Sequence, residues 1–389
     1  MIRTDSRRGR LALMVAHCAG MVDLVALPVW VGALIGHYRF DPQQAGALAT
    51  LFLAGAVVAS LVLAPRLDRL RGRWVAAGGF GLAALSFAAL STVSAFAAMA
   101  VLHALAGLAA GAALSVTHGT IARSARPHRL FALVGIALGV FAIVFLGATP
   151  PWVAAAGGAM LFKVFGGVMA VAAATALLAF PEPDALHEGA DSAPAAAAGR
   201  IVPAVWFGIA GISCMSLVQA MTFSFLERVG HHHGFALEAI TGVLIALGVV
   251  NLFPAALAAL LEKRWPARRV LLAGPVLQAA LVLVIMQAAG FAPYAVAASV
   301  FAAVMIFTHT FAFGLLARLD RSGRALAATP AMVMTGAAVG PVLGGTLIKL
   351  QGYPSLGFAA VAIAAVAVAC FSRVERPVAH PSLDLPETP

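Results

Sequence analysis

The stretch LVLAPRLDRLRGRWVAAGG, residues 61–79, sets four arginines and one aspartate between two long apolar runs. Charge is scarce elsewhere: 10% of the 389 residues are Asp, Glu, Lys or Arg, while 62% are hydrophobic. A water-soluble globule of this size needs a polar exterior and cannot hide so much apolar surface. A bilayer can accept it, because runs of about 20 apolar residues cross the hydrocarbon core as helices that satisfy their own backbone hydrogen bonds. The charged segment between two such runs is then a loop outside the membrane.

Extending that reading in both directions gives twelve apolar spans, at 11–36, 45–64, 75–92, 95–122, 131–148, 157–180, 201–227, 237–260, 270–289, 292–317, 325–348 and 355–373. The predicted fold class is an all-α membrane protein with twelve transmembrane helices. Only STVSAF divides the third span from the fourth. Lys and Arg alternate from loop to loop as twelve crossings require. One side carries 21 of the 25, and the other holds Arg39, Lys163, Arg228 and Lys349. This asymmetry places both termini in the cytoplasm, and the Arg- and Ala-rich composition suggests a bacterial inner membrane. The net charge of +10 is thereby assigned to orientation, with no nucleic-acid partner. The opening MIRTDSRRGR has the charge of a signal peptide. The apolar run behind it is too long and lacks an A-x-A-like site, so it reads as an uncleaved first span. Cys18, Cys214 and Cys370 lie inside spans, offering neither a disulfide framework nor metal-ligand spacing.

Residues 181–199, PEPDALHEGADSAPAAAAG, form the one long polar linker, rich in Pro, Ala and acids. They divide the chain into an N-terminal six-helix bundle (1–180), a cytoplasmic linker (181–199) and a C-terminal six-helix bundle with a short tail (200–389). The halves echo each other. Spans two and eight follow an aromatic in a polar turn, YRFDPQQAG and HGFALEAITG, and precede the acid-then-basic loops DRLRGR and EKRWPARR. Spans four and ten each contain a Thr-His pair and end in an Arg-rich loop. Two such halves imply a pseudo-symmetric, transporter-like body. Within FDPQQ, Asp41 is the expected N-cap, Pro42 suits the first helical position, and Gln44 completes a capping box.

The 6+6 arrangement, the central linker and the Asp-Arg-rich loop together resemble the major facilitator superfamily over essentially the whole chain. Its loop signature, roughly G-x-x-x-D-R-x-G-R, appears as Ala64, Asp68, Arg69, Gly72 and Arg73, with Arg71 inserted before the glycine. The resemblance implies that Asp68 bridges to the start of span eleven, around Ser322–Ala325, and that the loop helps to switch conformations. The arginines could instead be topology determinants alone. LHALAGLAAG in span four resembles the family's R-x-x-x-G-x-x-x-G, with His103 in the arginine's place before Gly107 and Gly111. GAAVGPVLGG in span eleven supplies Gly336, Gly340, Pro341, Gly344 and Gly345. In proton-antiporting drug exporters this pattern marks span five; in span eleven it implies a bendable, closely packed gate helix.

Ionisable groups deep in the spans are few: His17 and Asp23 in span one, His103 and His118 in span four, and His309 in span ten, with Lys163 near the outer end of span six and Glu227 near that of span seven. In the resembled fold, spans one, four, seven and ten line the central cavity. Asp23 stands about halfway along its span, where a carboxylate costs several kcal/mol unless it is protonated, paired or hydrated. That suits a proton carrier; the alternatives are a structural hydrogen bond or a direct substrate contact. Proton coupling is accordingly assigned to Asp23, His309 and His103, and substrate contact to His17, His118, Ser216, Gln219, Thr222 and Thr308. Membrane histidines and small polar residues also serve as interhelical hydrogen-bonders, so a packing role stays open for each. His231–His233 read as a solvated run in a mobile outer loop, and no metal site is expected. No nucleotide-binding loop, metal motif or nucleophile elbow is present. The expected protein needs no cofactor, is not an enzyme, and acts as a monomer among membrane lipids. It exchanges protons for a neutral or cationic amphipathic organic solute that it expels; the alternative is a proton symporter or uniporter importing a small metabolite, and a remoter one an intramembrane enzyme or non-transporting sensor.

Overall fold

The computed structural model describes residues 2–182, 202–319 and 329–374, excepting the side chains of Ala64, Asp68, His128, Ala317 and residues 329–332. Most of the linker, the tail and the loop before span eleven, including Ser322–Ala325, therefore lie outside the described residues.

Among the described residues, twelve helices are long and apolar enough to cross a membrane: Arg7–Gly36, Pro42–Leu63, Gly72–Leu90, Phe96–Ala122, Arg129–Ala156, Ala159–Ala179, Pro203–Ser224, Leu237–Leu261, Ala267–Gln287, Phe291–Leu316, Val333–Gln351 and Pro354–Ser372. Each expected span has its counterpart, and STVSAF does separate the third from the fourth. The capping box forms as well. The Gln44 amide donates to Asp41 Oδ1 at 2.9 Å, and the Asp41 amide donates to Gln44 Oε1 at 3.2 Å.

Continuous apolar runs conceal two breaks. The first span stops at Gly20 and resumes at Val22, with the intervening Met21 at φ −107°, ψ 16°. The eighth stops at Val250 and restarts at Pro254, a residue whose missing N–H costs nothing at a helix start. The histidine run is also not the loose loop expected. His231 and His232 belong to the short helix Leu226–His232, and the ring of His233 bonds to the Ile285 carbonyl at 3.1 Å.

Twelve alternating crossings put the basic loops after spans two, four and eight at one end of the bundle. In the N-terminal half, Trp30 is fully buried and meets Phe52 and Phe165 edge-on at ring separations of 5.1 and 4.8 Å. Phe87 and Phe162 complete this aromatic core, which ties together spans one, two, three and six. Between the halves, span two packs on span eleven, span five on span eight, and the end of span one on span seven. The glycines mark where these contacts fall. Gly46 lies against the Pro341 carbonyl and Gly345 against that of Pro42. Gly147 and Gly248 pack on Ile245 and Ile143, and Gly32 on Glu227. These contacts run from mid-membrane to the face opposite the basic loops.

Candidate functional site

Asp23 lies in the first turn of the helix that resumes after Met21, where backbone dipoles favour a negative group. It is 4% exposed, and its Oδ1 meets no hydrogen-bond partner among the described residues. A buried carboxyl oxygen left so is costly unless it carries a proton or meets water or ligand. Trp30, seven residues on, shares its helix face, and Trp30 turns toward span four.

The histidines divide into two arrangements. His17 Nδ1 and His118 Nε2 lie 3.0 Å apart, linking spans one and four through a single shared proton. A neutral pair can take up one further proton, whereas a second would set two cations in contact. His103 differs. Its Nδ1 faces the Met99 carbonyl at 2.7 Å, and its Nε2 accepts from Trp30 Nε1 at 3.2 Å. Both nitrogens are engaged in a fully buried aromatic core, with the indole stacked at 5.4 Å. The proton-carrying role expected of His103 finds no free nitrogen here.

In the C-terminal half, the expected substrate-binding residues are not brought into one cluster. Ser216 donates to the Val333 carbonyl of span eleven at 2.6 Å. Gln219 accepts from Gln278 Nε2 of span nine at 3.2 Å, and the same amide reaches the Met215 carbonyl. Thr222 is fully buried, with its hydroxyl unpartnered among the described residues. His309 packs its ring on Phe313 at 4.9 Å, and its buried Nδ1 likewise meets no described partner. Thr308 turns away from the others, against Gly274 of span nine.

The expected gate elements are better defined. Gly336, Gly340 and Gly344 form the face of span eleven that meets span seven, against Ser213, Met221 and Phe225. Gly345 faces span two, and Pro341 lies beside it at Gly46. A side chain at Gly345 or Gly46 would overlap backbone of the other half. After span two, residues Ala64–Arg69 form a 3-10 turn and the next helix starts at Gly72. Gly72 packs beside the Phe180 ring, while Arg73 lies 5.9 Å from the Trp74 ring centre. The Asp68 side chain and its expected partner segment lie outside the described residues, as does any bridge between them. Arg69 ends the turn.

Several polar groups at the opposite face were given no part in the site by the sequence reading. Lys349 Nζ donates to Asp41 Oδ2 at 2.9 Å and to Gln43 Oε1 at 3.2 Å, across the two halves. Gln43 donates in turn to Thr346, and the Val342 amide donates to Thr50. Burial acts to raise the Asp41 carboxyl. The Lys349 hydrogen bond and charge, with the Gln44 and Gln43 amides, outweigh it and hold the group below the usual carboxylate range. Nearby, Glu227 Oε2 and Arg228 Nε are buried without described partners. The available signal was that Lys349 and Arg228 are two of only four basic residues on that side.

A sequence model described as Major Facilitator Superfamily matches residues 12–319. The chain belongs to this superfamily. No curated protein matches it in sequence. Its fold is similar to the crystal structure of a D-xylose-proton symporter, with TM-score 0.74 and 13% identity, covering 93% of this chain and 95% of that one. The nucleoside transporter NupG gives TM-score 0.72 and 14% identity, over 96% of this chain and all of that one (100%). A bacterial homologue of the human lysosomal transporter Spinster, inward-facing and occupied, gives TM-score 0.68 and 13% identity, over 94% and 93% of the two chains. This superfamily member is a secondary transporter rather than an enzyme, and a small molecule is its substrate.

Proposed function

We propose that this transporter sits in a bacterial inner membrane with both termini cytoplasmic, and exchanges protons for a neutral or cationic amphipathic compound that it expels. The carrying observation is Asp23: a buried carboxyl with one unpartnered oxygen, at a break in a span that lines the transport path. Protonation satisfies that oxygen when substrate and water are absent, which is the exchange that an antiporter needs. The His17–His118 pair and His309 serve the same path, with Thr222 as a substrate contact. His103 holds Trp30 in place.

The basic residues of the sequence lie in loops or near span ends, so no central cation awaits an anionic cargo. The halves join from mid-membrane to the face opposite the basic loops, in keeping with a conformation open to the cytoplasm. Alternating access then proceeds by rocking the halves about these contacts.

The test places the protein in proteoliposomes enclosing a pH-sensitive dye and adds a panel of organic compounds. Expected is a compound-dependent proton flux of the antiport sign, lost in Asp23→Asn. Flux of the opposite sign would make the protein a symporter that imports its solute. Compound movement without proton flux, equal in both proteins, would remove Asp23 from coupling and leave a uniporter.

A further inference from the structure

The C-terminal half carries a deep apolar groove on its outer flank, away from the candidate site. Its volume is about 780 Å³, and its walls come from spans eight, nine and ten. Leu257, Leu277, Leu281 and Phe307 are typical of them; the Thr308 hydroxyl is a rare polar group there. The break before Pro254 helps to make the room, since Val250, Phe253 and Pro254 all contribute to one wall. From Arg269 to Leu281 the ninth span rises ~18 Å at 1.5 Å per residue. That is close to the depth of one leaflet, about half of a ~30 Å hydrocarbon core.

Its mouth has a different chemistry. Arg264, Trp265 and Arg269 stand together at the basic face, all exposed, with Trp265 braced edge-on against Phe307 at 5.9 Å. In the same cluster, Arg318 is paired with Glu262 at 2.7 Å. Neither Arg264 nor Arg269 has an ion pair with a described residue. Beside the groove, span nine turns an open apolar face outward through Leu272, Val276 and Ala280. The groove and this open face share Arg269, Ala273 and Leu277, a ridge at four-residue spacing down the helix. An apolar groove and an apolar helix face therefore meet below one arginine, with an indole at interface depth.

We infer that this flank is a binding site for an anionic phospholipid of the leaflet on the basic face. The phosphate sits between Arg264 and Arg269, Trp265 packs at headgroup level, and the two acyl chains lie one on each side of the Arg269–Leu277 ridge. Charge complementarity selects the ligand class: two exposed guanidiniums, without an ion pair among the described residues, offer bidentate donors to a phosphate, whereas the apolar walls accept chains of any kind. A soluble substrate would find almost no hydrogen-bonding partner in the groove.

The experiment is native mass spectrometry of the full-length protein in detergent, titrated with phosphatidylglycerol or phosphatidylcholine of identical chains. Expected is one phosphatidylglycerol adduct retained on the order of tenfold more strongly than phosphatidylcholine. In Arg264→Gln/Arg269→Gln the preference disappears. In the control Arg66→Gln/Arg71→Gln, in the basic loop after span two, it persists. Ala303→Phe, which fills the groove and keeps the arginines, is expected to weaken both lipids together. Equal retention of the two lipids by the native protein would overturn the assignment. So would a preference surviving in Arg264→Gln/Arg269→Gln, or one lost equally in the control. A dimer that Ala303→Phe dissociates would assign the flank to a second copy of the chain instead.

Discussion

His103 sits at the centre of the aromatic core with a carbonyl on one ring nitrogen and an indole N–H on the other. That pairing fixes a neutral ring with its proton on Nδ1. Replacing it by leucine keeps the volume roughly but strands the Trp30 N–H, a loss of about 1–3 kcal/mol for a buried donor left unpaired. His103→Leu should therefore lower the thermal unfolding midpoint of the purified protein, while proton flux per folded molecule stays near the native value. Lost flux with an unchanged midpoint would restore His103 as a proton carrier. The rarity of charge in apolar runs made Asp23, His17 and His118 stand out in the sequence. Their partners did not stand out, because contacts between residues 30 and 103, or 17 and 118, leave no periodic trace. Trp30 and Gln278 looked like ordinary span residues until the helices were packed together.

At the scale of the element, hydropathy alone was enough to place all twelve helices, since each must be long enough to cross the hydrocarbon core. The breaks in spans one and eight were not legible, because apolar side chains continue through them and the interruption is in the backbone. The glycine pattern of span eleven was legible as close packing, but its two different faces emerge only in three dimensions. Gly336, Gly340 and Gly344 meet span seven of the same half, whereas Gly345 meets span two of the other. Gly345→Val should thus wedge the halves apart at the face opposite the basic loops and leave each half intact. A cysteine placed at Thr50, whose hydroxyl accepts from the Val342 amide across this seam, reports the change. With Cys18, Cys214 and Cys370 replaced by alanine, a membrane-impermeant thiol reagent should label Thr50→Cys faster when Gly345→Val is added. An unchanged rate would mean that this contact does not control access.

Among the described residues of the whole molecule, the halves are joined by packing and by one small polar cluster, in which Asp41 of the first half meets Lys349 of the second. Both side chains are more than a third exposed or nearly so, at 35% and 44%. Such a pair contributes no more than about 1 kcal/mol, enough to shift two conformations by roughly fivefold at most. The link acts as a bias on the rocking equilibrium, with the glycine seam as its main support. Its pH dependence has a definite sign. While joined to Lys349, the Asp41 carboxyl titrates below its usual range; when the halves part, it returns to that range. The bias is therefore complete above the ordinary carboxylate value, near pH 4, and fades as the pH falls through the depressed value. In the Thr50→Cys background, acidification from neutral pH to below about 4 should accelerate labelling, corrected for the reagent's own pH dependence. Asp41→Asn should start faster by up to about fivefold and show no such rise. Both effects should shrink in high salt, because the pair is exposed enough to be screened. An acid response that persisted in Asp41→Asn would place the titrating group elsewhere on that face, with the buried Glu227 beside Gly32 as the next residue to replace.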